Sequence, residues 1–402
     1  MRPETQRSSR KPMEALQRSD LFITPPVLDR SFWEGALGFA VEKIRSNIPT
    51  FAHAYPPPAS IDNIYPPIAN TEWTSSFWTG LLWLAYENTG EELFRTTAEG
   101  QLADYRSRLD RRIATDTHDL GFLYSLSCVA AWKLTGNREA RAAALKAADL
   151  LMIRYFEKAG VIQAWGDLND AEQRGRIIVD CAMNLPLLHW ASAETGNPYY
   201  AEAAERHIGR ANAYAIRDDW SSFHTYYFDI ETGAPLRGVT AQGYADDSCW
   251  ARGQAWIIYG NPLSARYLRD PSLLETARGL ARYFLNRLPE DLVSYWDLVF
   301  TEGNEERDSS AAAIAVCGLL ELAAQLPVTD TDRRPFENAA LRILASLAER
   351  YTSASEAGSN GILLHSVYNK PKKEGVDECV IWGDYFYVEA LTRVLRGWKP
   401  YW

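Results

Sequence analysis

The feature that most constrains this chain is a recurring helical phrase: an aromatic-rich apolar helix, a Thr-Gly pair, then an Ala-rich helix. The segments FWTGLLWLAYENTGEELF, FLYSLSCVAAWKLTGNREA and MNLPLLHWASAETGNPYY repeat it in turn. Gly90, Gly136 and Gly196 fall where a helix C-cap needs a left-handed residue. Asn197 and Asp270 are placed to open the helices that follow, with Pro198 and Pro271 in first-turn positions. Helical periodicity predicts twelve helices, near 29–48, 75–89, 91–109, 120–135, 137–156, 178–194, 197–216, 248–260, 271–287, 309–325, 333–351 and 381–396. Taken in pairs they form six hairpins. Turns within a hairpin are short, whereas the connections 49–74, 157–176, 217–247, 288–308 and 352–380 are long. That asymmetry predicts an all-α closed ring rather than an open solenoid, since the repeats are few and irregular. Strand-like runs such as FHTYYFDIETG predict small β-hairpins at the ring's mouth. Function belongs on the long loops and the helix starts beside them.

At 402 residues the chain has room for two or three domains, but no stretch reads as a linker between cores. The expectation is one catalytic domain over 26–402 behind a flexible N-terminal extension, residues 1–25. Met1 to Asp20 is polar and basic with no apolar core, which argues against a secretory signal. No 18-residue apolar run is present, so no membrane span is expected. A net charge of −10 argues against a nucleic-acid surface. An acidic protein that takes an anionic ligand must gather its cations locally. The five cysteines, Cys128, Cys181, Cys249, Cys317 and Cys379, are scattered and include no CxxC pair. They indicate neither a disulfide framework nor a zinc site, and reduced thiols suit a cytoplasmic location. The 14 Trp and 21 Tyr have two readings: core filling, or flat rings that stack on pyranose faces.

Three segments concentrate chemistry. In THDLGFLYS (117–125), Asp119 precedes a helix; it either caps that helix or projects into the ring. In RIIVDCAMNLPLLHW (176–190), Asp180 lies within an apolar helical run. A carboxylate there must be paired or hold its proton, which suits a general acid, although a structural helix-start Asp is the plainer alternative. The stretch GVTAQGYADDSCWARGQAWIIYG (238–260) gathers Gln242, Asp246, Asp247, Trp250, Arg252, Gln254 and Trp256. Arg252 and Trp256 share a helix face four residues apart, an arrangement suited to a sugar ring that carries a carboxylate. Gly238 to Thr240 offer backbone N–H and hydroxyl donors. Trp73, Trp165 and His224 fall on loops, where each alone is as readily packing as function. The sequence contains no GxSxG, GxGxxG, P-loop or HExxH motif.

The segments HDLGF, RIIVDCAMNLPLL, QGYADDSCWARGQAW, RDSSAAAIAVCGLLEL and GVDECVIWGDYFYVEAL, in that order, resemble the unsaturated glucuronyl hydrolases of glycoside hydrolase family 88. The resemblance runs from about residue 25 to the C-terminal helix. It implies an (α/α)6 barrel, in agreement with the six hairpins. It further implies Asp180 as general acid and base and Asp119 as the second essential carboxylate, holding sugar hydroxyls. It places Trp73, Trp165, His224, Gly238, Thr240, Gln242, Arg252 and Trp256 around the substrate. Ser366 and Asn369, in SVYN, match a segment that touches the substrate's second sugar, where some relatives carry serine in place of Asn369.

The implied chemistry is protonation of a vinyl ether: a carboxylic acid protonated near neutral pH delivers its proton to C4 of a 4,5-unsaturated uronic acid, then acts as base towards water. It asks for no metal and no organic cofactor, and the expected partner is an oligosaccharide ending in that sugar. An unsaturated rhamnogalacturonyl hydrolase on the same barrel and a non-catalytic sugar-binding barrel are the competing readings. The HDLGF segment and the Gln242–Trp256 stretch favour the glucuronyl type, and the presence of both aspartates speaks against the binding-only barrel. An aminosugar epimerase needs a catalytic histidine pair, which six poorly placed histidines do not supply.

Overall fold

The computed structural model describes residues 10–402. A short helix α1 (Ser19–Ile23) precedes α2 (Arg30–Phe51), after which inner and outer helices alternate. In chain order these are α3 (Ser75–Thr89, inner), α4 and α5 (Glu92–Gly100 and Leu102–Asp110, outer), and α6 and α7 (Leu120–Tyr124 and Ala130–Thr135, inner). They continue as α8 (Arg138–Met152, outer), α9 and α10 (Cys181–Asn184 and Pro186–Thr195, inner) and α11 (Pro198–Tyr214, outer). The last five are α12 (Ala251–Leu268, inner), α13 (Pro271–Leu285, outer), α14 (Ser309–Gln325, inner), α15 (Arg333–Arg350, outer) and α16 (Ile381–Leu395, inner). The inner helices touch in sequence, α3 to α6, α6 to α9, α9 to α12, α12 to α14, α14 to α16, and α16 back to α3. The ring is therefore closed, and α2, the first barrel helix, completes the sixth hairpin against α16, the last.

Two kinds of helix make two layers. Inner α3 buries eleven consecutive residues, Ser75 to Ala85, because it meets protein on every side. Outer α8 is amphipathic, and Ala140, Ala143, Ala144, Ala147 and Ala148 give it a buried stripe flat enough to lie close on the inner layer. Gly90, Gly136 and Gly196 all adopt positive φ at the short turns, which lets each chain reverse within two residues. Asn197 and Asp270 accept hydrogen bonds from Tyr199 N and Ser272 N, capping α11 and α13.

Three departures from the expected helices have local causes. The segment 91–109 breaks at Gly100–Gln101, where the Gln101 amide turns inward to Thr79 Oγ1 and Phe51 O. The segment 120–135 contains a π-turn, Ser125–Val129, between α6 and α7. Residues 176–178 are a strand, β3 in the full order, and not the start of a helix. The strands are β1 (Tyr155–Phe156), β2 (Val161–Ile162), β3 (Arg176–Ile178), β4 (Thr225–Phe228), β5 (Pro235–Val239), β6 (Ser366–Asn369) and β7 (Glu374–Glu378). They form the antiparallel pairs β1–β2 and β6–β7 and the sheet β3–β4–β5, all within the long connections.

The N-terminal segment corrects one expectation. Residues 1–9 lie outside the described residues, but 10–25 are packed on the outer layer rather than free. Lys11 N donates to Asp218 O, and the Trp220 indole donates to Lys11 O. Glu14 forms a two-pronged ion pair with Arg287, and Asn338 donates to Phe22 O and Ile23 O. Phe22 is buried in the main core. Polar composition alone concealed this docking, since the partners of the segment lie some two to three hundred residues away in sequence, as Lys11 with Asp218 and Glu14 with Arg287. At the other terminus Trp402 stacks on Phe386 at the closed end of the barrel, 5.8 Å between ring centres. All five cysteines are buried and unbridged. Among the described residues no helix is long and apolar enough to cross a membrane.

Candidate active site

Every inner helix begins at the end of the barrel that carries the long loops, so the first residues of α3, α6, α9, α12, α14 and α16 converge there. A cavity of about 450 Å³ opens at this end. Its walls include Trp73, Asp119, Trp165, Asp180, Gln242 and Asn369. Cations are gathered around it despite the acidic composition. Arg108 and Lys372 line it, Arg176 lies 4.0 Å over the Trp165 ring, and Arg252 sits one layer behind Gln242.

Asp119 and Asp180 occupy equivalent positions, the residue just before α6 and the residue just before α9. Neither side chain caps its helix, so the helix-start alternative fails for both. Asp119 Oδ2 accepts from Thr117 Oγ1 at 2.7 Å. His118 Nε2 lies 3.3 Å from Asp119 Oδ1, outside hydrogen-bonding geometry. Asp180 is 6% exposed, and its Oδ1 has no partner in the protein. Burial pushes the Asp180 carboxyl up to about 6, with the Asp119 charge adding to the rise and His118 and Arg252 opposing it. The result is a carboxylic acid with a large protonated fraction just below neutral pH, beside an anionic neighbour.

The two helix starts are held together through Asn184 and the absence of two side chains. The Asn184 amide accepts from Phe122 N at 2.8 Å and donates to Asp180 O at 3.3 Å. Gly121 faces Asn184 so closely that a Cβ there would lie 2.3 Å from Asn184 Cα. On the opposite side, a Cβ on Gly260 of α12 would lie 2.3 Å from Ala182 Cβ. The short α9 is thus wedged between two backbones.

A second wall is built from α12 and the β6–β7 hairpin. Arg252 Nη2 donates to Gln242 Oε1 at 2.7 Å and to Tyr368 O at 2.8 Å, and Nη1 donates to Val367 O. Its guanidinium lies between the Trp250 and Trp382 rings, 4.5 and 4.7 Å from their centres. Trp382 stacks on Trp73, whose indole donates to Tyr368 Oη at 3.3 Å.

Several residues expected to face substrate do not line the cavity. Trp256 is fully buried beneath the site, where its ring meets Phe122 at a tilt and Phe386 edge-on rather than lining the cavity. It shares the Arg252 face, but one turn deeper that face already points into the core. His224 is buried, with Nδ1 2.6 Å from Thr225 Oγ1; burial, followed by the Arg252 charge, pushes its imidazole down to about 3. It is neutral at neutral pH and supplies no positive charge. Gly238 lies in β5 opposite Tyr226, where a Cβ would strike the Phe223 ring. Thr240 Oγ1 accepts from Gly243 N and so shapes the turn that presents Gln242. Ser366 is buried against Ser309, while Asn369 reaches the cavity and accepts from Lys372 N.

Sequence reasoning missed Glu72, Arg108, Thr117, Tyr368 and Lys372 in the walls and Asn184 behind them. Arg108 is the least legible. Its five N–H groups are taken by Asn70 Oδ1 and by the carbonyls of Thr71, Glu72, Ile113 and Ala114. This one side chain ties together two loops of the mouth, yet in sequence it is an ordinary arginine of an amphipathic outer helix.

Comparison with known proteins agrees with this geometry. Residues 44–390 match the family described as Glycosyl Hydrolase Family 88. The chain is 47% identical, over 97% of its length and 98% of the relative's, to an unsaturated chondroitin disaccharide hydrolase of Streptococcus pneumoniae. It superposes on the crystal structure of an unsaturated glucuronyl hydrolase from Streptococcus agalactiae with a TM-score of 0.95 and 46% identity, covering 98% of this chain and 99% of the other. A mutant of the Streptococcus agalactiae enzyme, complexed with dGlcA-GalNAc6S, matches with a TM-score of 0.87 and 43% identity over 98% of this chain and all of that one.

Proposed function

The chain belongs to Glycosyl Hydrolase Family 88, and from that premise we propose that it removes 4,5-unsaturated glucuronic acid from the non-reducing end of glycosaminoglycan-derived oligosaccharides. The observation that carries the reading is Asp180: a buried carboxyl at the cavity wall, raised to about 6, with one oxygen unpartnered. Polysaccharide lyases leave a C4=C5 double bond conjugated with the ring oxygen. That oxygen donates electrons and makes C4 basic. Asp180 gives its proton to C4, and positive charge develops at C5 and the ring oxygen. Water adds to C5 and returns a proton to Asp180, now acting as base. The hemiketal opens by breaking the C5–ring-oxygen bond, and the hemiacetal left at C1 collapses to an aldehyde with loss of the neighbouring sugar. One mobile proton suffices, and no second carboxylate attacks the anomeric carbon.

In this reading Asp119, more exposed and held by Thr117, binds sugar hydroxyls and keeps the Asp180 proton in place through its charge. Trp73 and Trp165 offer flat faces to the sugar, and Gln242 a hydrogen-bonding amide held by Arg252. The test compares an unsaturated glucuronyl disaccharide with its saturated counterpart, following release of the reducing-end sugar. The saturated compound is expected to be inert, and in D2O label is expected at C4 of the opened product. Comparable release from both compounds would return the chain to conventional glycosidases.

A further inference from the structure

Asp308 has no part in the steps above, yet it is completely buried at the start of α14. Its Oδ1 caps that helix, accepting from Ser310 N at 3.1 Å, Ser310 Oγ at 2.5 Å and Ala311 N at 3.3 Å. Its Oδ2 has no hydrogen-bond partner and lies 3.6 Å from Arg252 Nη1. Ser310 Oγ also accepts from the Trp382 indole at 3.0 Å, and Trp382 is one of the two rings that sandwich Arg252. The same side chain therefore holds the guanidinium by charge and one of its clamping rings through a hydroxyl. A capping aspartate needs only one oxygen for its helix; the second is directed at the cation whose other contacts fix Gln242 and β6.

Resting on the reading of Asp180 as proton donor, we propose that Asp308 is a positioning residue for the hydrolysis: it fixes Arg252 between its two rings and offsets part of the positive charge that Arg252 presents to Asp180. The groups facing Asp180 are His118 and Asp119 from the α6 side and Arg252 from the α12 side. Those facing Arg252 are Asp308, Asp180, the Tyr368 hydroxyl and the neutral His224 imidazole. Asp308 is thus one of two carboxylates shared by a single buried cation. Burial pushes the Asp308 carboxyl up while Arg252 draws it back. When a buried pair loses one member, the survivor's charge is left uncompensated in a medium that screens it poorly.

Asp308→Asn keeps the size and the cap but removes the charge. Arg252 then favours the Asp180 anion more strongly, and Asp180 gives up its proton at lower pH. The alkaline limb of kcat/KM, read with the unsaturated disaccharide, is expected to move towards acid by about half a pH unit or more, with a loss of roughly threefold or more at neutral pH that recovers on acidification. Asp308→Ser, which retains an oxygen at the cap, is expected to move the limb the same way and covers the case in which the asparagine variant folds poorly. Circular dichroism verifies folding before each profile. A limb that stays where the wild-type limb lies, or moves towards alkali, in the folded variants overturns the proposal and leaves Asp308 a helix cap. The two readings fail separately: an active Asp180→Asn enzyme sinks the proton-donor assignment, whereas an inactive one together with an unmoved limb sinks only the role of Asp308.

Discussion

Replacing Asp180 with asparagine is expected to remove activity and add stability, with the added stability depending on pH. The folded protein holds the Asp180 proton more tightly than the unfolded chain, because burial lifts the carboxyl from 3.8 to about 6. Below about pH 3 the group is protonated in both states and costs nothing. Above about pH 7 the folded state carries a poorly hydrated anion that the unfolded chain would solvate. Stability therefore falls as pH rises through this window, and the gap corresponds to about 3 kcal/mol. Asparagine has the same shape and no charge to desolvate. Denaturant unfolding should thus find the variant within about 1 kcal/mol of wild type near pH 4.5 and about 2–3 kcal/mol more stable near pH 8. Turnover, followed as loss of the conjugated enoate's ultraviolet absorbance, should fall about 10²-fold or more, since an amide neither delivers a proton to carbon nor accepts one from water. A stability difference that is flat with pH would show that Asp180 is not desolvated as described. Retention of more than about a tenth of wild-type turnover would remove it from the proton-transfer role.

Asp119→Asn should cripple turnover yet still bind the unsaturated disaccharide in calorimetry, because the amide keeps hydrogen bonds to hydroxyls while losing the charge; a folded variant with no binding would contradict that division of labour. Gly121→Ala should destabilise the fold by about 2 kcal/mol or more in thermal or denaturant melts, since the new Cβ would meet Asn184 backbone at 2.3–2.4 Å. Wild-type melting with alanine at this position would mean that the two helix starts have room to move apart. Activity should survive EDTA, because protonating a vinyl ether asks for no Lewis acid; loss on chelation with recovery on adding a divalent ion would require a different mechanism.

The hairpin ring was legible because its two helix types carry different patterns, apolar all round inside and Ala-striped outside, with Thr-Gly marking three of the short turns. What escaped depended on partners far away in sequence. Residues 177–179 form an apolar run too short to choose between helix and strand, and the choice is made by β4, some fifty residues later. Asp180 consequently belongs to a turn before its helix, yet its burial was readable from the apolar residues around it. Trp256 was misplaced because helical spacing shows which residues share a face but not how deep each one sits. His224, placed around the substrate by the resemblance, is instead buried behind the wall, where burial and then the Arg252 charge hold its imidazole neutral, and neither is encoded in SSFHTYYF. Arg108 and Asn184 left no local signal, since both act by joining loops or helices from separate hairpins.

The wedging of α9 between Gly121 and Gly260 has a bearing on how such an enzyme diversifies. The separation of Asp119 and Asp180 is gauged by main chain meeting main chain inside the staves of the barrel. The loops around the cavity mouth hang from the rim and do not set that gauge. Selection, or an engineer, is free to recut residues 243–247 or 370–373 to suit a different glycan and leave Asp180 undisturbed. A change as small as one methyl group in the staves themselves would reach the chemistry at once. Evolvability in this architecture is thus partitioned by depth, with recognition open to revision at the rim and reactivity locked at the level of the two glycines.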